Sequence, residues 1–249
     1  MSTFNNKTIL ITGGTSGIGK AVAKEFLAEG AKVLITSRKK GNLDQTINEL
    51  GGSIHGIQSD ASSMDDLKEL SKHIKEYSDT IDVLFVNAGF GKFSPIEEAS
   101  EDFFDSQMNV LVKGGFFTVK EVLPLIKEGG TIVFNTSVVT DVAMPGASVY
   151  GAAKSAVQYL VKSFANEFKD RKIRVNAVSP GPIETNFFNE AGVPDEHQQQ
   201  MAEQILSQVP MNRFGKPEEI AKTVKFLASE EASYITGHEI QVDGGMVQV

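Results

Sequence analysis

What most constrains this chain is a regular alternation of short β-branched runs with stretches of helical period. Residues 8–12 (TILIT), 32–36 (KVLIT), 53–58 (SIHGIQ), 82–87 (DVLFVN), 131–135 (TIVFN), 173–178 (IRVNAV) and 239–242 (EIQV) read as seven strands. Between them, 18–29, 43–50, 63–77, 101–111, 114–127, 149–170 and 217–228 read as helices. Ile18, Val22, Phe26 and Leu27 share one face of the first, and Met64, Leu67, Leu70 and Ile74 share one face of the third. Strands that are apolar on both faces belong in a parallel sheet with helices packed on each side. The expectation is an α/β fold, one doubly wound domain over 1–249 with a seven-stranded parallel sheet. No linker, repeat or compositional break divides the 249 residues. One stretch, 184–215, is polar and irregular, too long for a simple connection and hence a functional candidate.

Charge and composition exclude several classes of function. Lys and Arg number 24 against 32 Asp and Glu, a net charge of −8, which disfavours nucleic acid and anionic membrane surfaces as partners. Cysteine is absent, so disulfides and thiolate metal sites are impossible, and a reducing, cytoplasmic setting suits that composition. The four histidines, at 55, 73, 197 and 238, are scattered without ligand spacing, and no metal site is expected. No apolar run approaches the ~18 residues that would span a bilayer, and the first residues do not read as a signal peptide.

Between the first strand and first helix stands Thr12-Gly13-Gly14-Thr15-Ser16-Gly17-Ile18-Gly19. Glycines in a strand-to-helix turn permit positive φ, close approach to a pyrophosphate and tight packing of helix on strand. The helix N-terminus then faces the phosphates. Dinucleotide-binding folds commonly place an acid at the end of the second strand to hold a ribose diol. Here that place reads Thr36-Ser37-Arg38-Lys39-Lys40, with three cations and no acid. A guanidinium binds a 2′-phosphate through paired hydrogen bonds, where a carboxylate would repel it. The stretch reads as a preference for NADP(H), with NAD(H) left open.

Tyr150 and Lys154 lie four apart on the helix expected at 149–170, hence on one face. A phenol is a poor base at neutral pH. An ammonium one turn away favours the phenolate and is expected to lower its pKa, so that Tyr150 can exchange a proton with a carbonyl or alcohol oxygen. Ser137 closes the fifth strand at its carboxyl end, where ligands bind in open α/β sheets, and its hydroxyl can bond the same oxygen.

With these motifs in order, the sequence resembles the short-chain dehydrogenase/reductase family from Thr12 to Gly245. Further matches are Asp60, Asn87-Ala88-Gly89, Asn109, Pro180-Gly181 and Val242-Asp243-Gly244-Gly245. The family often reads Asn-Asn-Ala-Gly where this chain has Val86-Asn87-Ala88-Gly89. The resemblance implies a Rossmann-like fold and a catalytic set of Asn109, Ser137, Tyr150 and Lys154. In it Tyr150 is the acid/base and Ser137 positions the carbonyl. Lys154 binds the nicotinamide ribose and tunes Tyr150, and Asn109 holds a water. It implies cofactor contacts from Gly13, Thr15, Ser16, Gly17, Ile18, Gly19, Ser37, Arg38, Lys39, Asp60, Ala61, Asn87, Ala88 and Gly89. Pro180, Gly181, Ile183 and Thr185 would hold the nicotinamide amide. Phe90, Phe93, Val139, Met144, Phe187 and Phe188 are candidate substrate contacts, and 186–213 is expected to be a lid with Gly192 as hinge. The only cation between 186 and 212 would be a protonated His197, so a small neutral ketone is the expected substrate. Family members commonly pair through the helices corresponding to 101–127 and 149–170, so a homotetramer is expected.

The combined expectation is an NADPH-dependent oxidoreductase that interconverts a ketone and a secondary alcohol. Two alternatives stay open: reduction of a 3-oxoacyl thioester, and an NADP(H)-binding sensor without turnover.

Overall fold

The computed structural model describes residues 4–185 and 195–249. Seven parallel strands form one sheet in the order β3-β2-β1-β4-β5-β6-β7. They are β1 (Thr8–Ile11), β2 (Lys32–Ser37), β3 (Ile54–Gln58), β4 (Ile81–Val86), β5 (Ile126–Asn135), β6 (Arg174–Pro180) and β7 (Glu239–Val242). The helices are α1 (Gly17–Ala28), α2 (Lys40–Leu50), α3 (Met64–Lys75), α4 (Glu101–Met108), α5 (Gly115–Val122), α6 (Ser148–Glu167), α7 (Asp195–Leu206) and α8 (Pro217–Ala228). Alternate residues of each strand feed two cores. Leu10, Leu34, Leu84 and Ile132 join α3, α5 and α6 on one face. Ile9, Ile11, Val33, Phe85 and Val133 join α1 and α8 on the other. Strand order reverses between β1 and β4, which opens a crevice at the carboxyl ends of the strands.

Three differences from the expected elements have clear physical causes. Gly114 was expected to follow a break between helices. Instead a π-helical stretch, Asn109–Gly114, joins α4 to α5 without interruption. A Cβ on Gly114 would stand 2.4 Å from the Ala61 carbonyl oxygen, so this glycine serves close packing rather than punctuation. The second expected helix stops at Val122, before Pro124, and β5 begins at Ile126. Its register against β4 shifts between Ile81 and Val83, where residues 127–129 turn outward at the positive φ of Gly129. The stretch 184–215, expected to be irregular, contains the three-turn helix α7. Its apolar side, Met201, Ala202, Ile205 and Leu206, occupies only the last turns, after the Gln run that made the stretch read as irregular.

Candidate active site

The carboxyl ends of β1, β2, β4, β5 and β6 surround a cleft of about 1170 Å³. Every described residue expected at the site lines it. Gly13, Thr15, Ser16, Gly17, Ile18 and Gly19 come from the turn after β1, and Ser37, Arg38 and Lys39 from the end of β2. Asp60 and Ala61 follow β3, and Asn87, Ala88, Gly89, Phe90 and Phe93 follow β4. Asn109, Ser137, Val139, Met144, Tyr150 and Lys154 form the middle, with Pro180, Gly181, Ile183 and Thr185 after β6. Phe187, Phe188 and Gly192 lie outside the described residues. On the far wall α7 contributes Met201, Gln204 and Ile205.

The glycine turn has the features that close approach demands. Gly13 and Gly17 adopt φ of +66° and +48°. A Cβ on Gly19 would stand 2.2 Å from the Gly13 carbonyl oxygen, and one on Gly13 would stand 2.9 Å from the Ala88 Cα. Helices α3 and α4 are capped by the hydroxyls of Ser63 and Ser100. By contrast, α1 has no side-chain cap at Ser16 and no acid in its first turn, so its leading N–H groups face the cleft. A cradle that only glycine fits, beneath an uncapped helix N-terminus, fits the phosphates of a dinucleotide.

Hydrogen bonds tie this turn to the reactive residues. Thr12 Oγ1 accepts the N–H groups of Asn87 (2.9 Å) and Ala88 (3.0 Å). Asn87 Nδ2 donates to the carbonyls of Thr12 (3.0 Å) and Gly13 (3.1 Å). The Asn87 Oδ1 is thereby turned to Asn135, whose Nδ2 donates to it at 2.9 Å. The Asn135 carbonyl in turn accepts from Lys154 Nζ at 2.6 Å. Asn135 was not among the expected site residues. As the last residue of a strand it read as sheet, and only its place two residues before Ser137 could have pointed to it.

Lys154 is 5% exposed, and burial lowers its pKa to about 8, against an opposing pull from the Glu239 carboxylate. Its ammonium lies 5.9 Å from the centroid of the Tyr150 ring. Ser137 and Tyr150 line the cleft together, and the Ser137 side chain acts on the phenol as a hydrogen-bonding group. The spacing suggests that Lys154 lowers the Tyr150 pKa, but the net shift is in the opposite direction. Burial against the cleft wall raises the phenol above its ordinary value, and the bond to Ser137 is what opposes it. Asn109 opens the π-helical stretch, a local irregularity that re-aims side chains in an otherwise regular helix. Asp60 is engaged in a turn, with Oδ1 accepting from the backbone N–H and the hydroxyl of Ser62, each at 2.8 Å.

Arg38 and Lys39 are exposed at the cleft edge and form no ion pair with any described residue. Ser37 Oγ accepts from Thr15 Oγ1 (3.4 Å) and from the Lys39 N–H (3.3 Å), which draws β2's end against the glycine turn. Among the described residues no group of three or more His, Asp or Glu could hold a metal. No helix among the described residues is long and apolar enough to cross a membrane.

Residues 13–247 match the family described as enoyl-(acyl carrier protein) reductase. The 3-oxoacyl-(acyl-carrier-protein) reductase FabG of Thermotoga maritima is 39% identical, over 98% of this chain and 99% of that protein. A glucose 1-dehydrogenase of Gluconobacter oxydans is 37% identical, over 98% and 92%. The crystal structure of a glucose/ribitol dehydrogenase-type protein from Brucella melitensis superposes with a TM-score of 0.89 at 33% identity, covering 99% of both chains. The whole length of the chain, its strand order and its cleft thus agree with one group of proteins: it belongs to the short-chain dehydrogenase/reductase family and is an oxidoreductase.

Proposed function

We propose that the protein is an NADPH-dependent reductase of ketones, reversible as an alcohol dehydrogenase. The observation that carries this reading is the convergence of Ser137, Tyr150 and Lys154 in one cleft, with the Lys154 ammonium 5.9 Å from the Tyr150 ring centroid, next to a cradle that only glycine fits. The glycine turn, Asp60-Ala61, Asn87-Ala88-Gly89 and 180–185 would hold the dinucleotide, which supplies a hydride when bound. Arg38 and Lys39 favour a 2′-phosphate, because they are cations without an ion-pair partner among the described residues and 36–40 contains no acid.

The chain's own residues supply the proton and the positioning. At neutral pH the raised phenol of Tyr150 carries its proton and donates it to the oxygen that gains charge during reduction. Ser137 donates to the same oxygen and stabilises it. Lys154, charged below about pH 8, favours the phenolate left behind. A water at Asn109 would then return a proton to the site. Asn135 keeps Lys154 aimed through its carbonyl.

Helix α7 presents Met201 and Ile205 to the cleft, which supports a lid role for 186–213. The half-exposed rings of Phe104 and Phe116 and the exposed ring of Tyr159, on α4, α5 and α6, are surfaces that a second subunit would cover in a tetramer. A cytoplasmic location accords with the lack of cysteine. Reduction of a 3-oxoacyl thioester is the second reading, favoured by the Thermotoga relative. A sensor without turnover gains nothing from an acid/base pair. Assaying NADPH oxidation against ketones, β-keto esters and acyl thioesters tests the proposal. Loss of NADPH with one carbonyl class supports it, and binding of NADPH without turnover of any class contradicts it.

A further inference from the structure

Among the described residues lining the cleft, the charged ones are Arg38, Lys39, Asp60, Lys92 and Lys154. Arg38, Lys39 and Asp60 stand at the ends of β2 and β3, and Lys154 is buried at the centre. Lys92 is apart from them, on the loop after β4. Two residues on the same loop face the site: Phe93, with its ring centroid 6.0 Å from that of Tyr150, and Phe90. The rest of the described wall around the reactive pair is apolar or amide, from Val139, Met144, Met201, Gln204 and Ile205. Among the described residues, the substrate end of the cleft therefore has one formal charge, and it is positive.

This charge is mounted on a fixed base. The Lys92 N–H donates to Oε1 of Gln107, a fully buried side chain of α4, at 3.0 Å. Two residues on, the Ser94 N–H donates to the Gly146 carbonyl at 2.9 Å. The Lys92 side chain is exposed and makes no ion pair with a described residue. Its ammonium rests 5.5 Å from the centroid of the Phe90 ring. An ammonium over a benzene ring gives up that contact readily to an oxyanion, and its three donors rotate to meet one. The protein as a whole carries −8, which repels anions at long range, so a local cation is what would admit one.

We propose that Lys92 is a substrate-selecting residue and that the carbonyl substrate bears one compact anionic group, a carboxylate or a phosphate ester, on the arm that reaches the β4–α4 loop. This rests on the reductase reading and replaces the neutral substrate expected from 186–212 alone. The cation comes from a loop about a hundred residues earlier in the chain, which a reading confined to the lid could not include.

The test uses NADPH-saturated protein and matched pairs: 5-oxohexanoate with its methyl ester, and the 3-oxobutanoyl thioester of phosphopantetheine with that of pantetheine. In the wild type, kcat/KM for the anionic member of one pair should exceed that of its neutral partner by about two- to fivefold, the range of an exposed charge contact. The pair that shows it identifies the source, carboxylate or phosphate. Lys92→Gln should bring that ratio to about one with the neutral member and NADPH affinity unchanged, and Lys92→Glu should invert it. Added salt should erase the wild-type preference. The proposal is overturned if Lys92→Gln leaves the ratio unchanged, or if the wild type prefers the neutral member of both pairs. Titration of the holoprotein with 5-hydroxyhexanoate and its methyl ester gives a readout that needs no turnover. Tighter binding of the anion, lost in Lys92→Gln, supports Lys92 even where no ketone is reduced, and equal binding refutes it. Absence of all turnover would count against the reductase reading separately.

Discussion

Replacing Gly19 by alanine tests how the fold builds its phosphate cradle. The added methyl would stand 2.2 Å from the Gly13 carbonyl oxygen and 2.7 Å from Asn87 Nδ2. Non-bonded atoms prefer roughly 3.5 Å, so α1 must retreat from the turn by about 1 Å. Overpacking of that kind costs about 1–3 kcal/mol. It also breaks the Asn87 bond to the Gly13 carbonyl, for about 1 kcal/mol more. A total of roughly 2–4 kcal/mol lowers Tm by about 5–15 °C in a chain of this length. The same retreat withdraws the uncapped N–H groups of α1 from the phosphates. Loss of one charge-assisted bond, about 1.5–3 kcal/mol, weakens NADPH binding by roughly 10- to 150-fold. Gly41→Ala is the control, because a Cβ there meets nothing within 4 Å. It should leave both quantities unchanged or raise Tm slightly. Differential scanning fluorimetry and NADPH fluorescence titration measure the two effects. A Gly19→Ala protein with Tm within about 2 °C of wild type and unweakened NADPH binding would refute the reasoning.

Other substitutions separate the roles of individual residues. Tyr150→Phe should lower kcat by about a thousandfold while NADPH titration is unchanged, and retention of a tenth of the activity would remove Tyr150 from the acid role. Arg38→Asp should shift the ratio of kcat/KM toward NADH, and a wild type that already prefers NADH contradicts the reading of 36–40. Lys154 has a folded pKa of about 8 against an ordinary 10.5, so between those values the unfolded chain binds a proton that the native protein has released. Its contribution to stability therefore rises with pH across that window and is least below about pH 8, by about 3 kcal/mol. Lys154→Met should abolish activity yet lose no stability at pH 7, and its denaturation free energy should lack the rise seen in wild type toward pH 10. In wild type, kcat should fall above about pH 8 as the ammonium is lost, and an activity that is flat to pH 10 would contradict a charged Lys154.

Much of the fold was legible because burial on both faces makes parallel strands conspicuous. Elements β7 and α8 lie at the expected residues, 239–242 and 217–228. What escaped the sequence has local causes. Gly114 looks like a helix breaker until Ala61, more than fifty residues earlier, is brought against it. Helix α7 has only a short apolar side, Met201, Ala202, Ile205 and Leu206, because it borders a cleft instead of a core. The site was legible as a set of residue types, since Ser137, Tyr150 and Lys154 converge as their spacing suggested. Its electrostatics were not, because desolvation depends on neighbours distant in sequence, and that term raises Tyr150 where spacing alone suggested lowering. Asn135 and Lys92 were missed for the same reason, as their roles depend on partners on other elements.

The central claim is that this cleft transfers hydride from NADPH to a carbonyl carbon with Tyr150 as the proton donor. NADPH deuterated at nicotinamide C4, incubated with wild type and with Tyr150→Phe alongside an accepted ketone, tests it in one experiment read by mass spectrometry. The account predicts deuterium on the carbinol carbon of the alcohol formed by wild type, and almost none with the variant although it still binds NADPH. Deuterium transfer by the variant at the wild-type rate, or an alcohol without deuterium from the wild type, would contradict it.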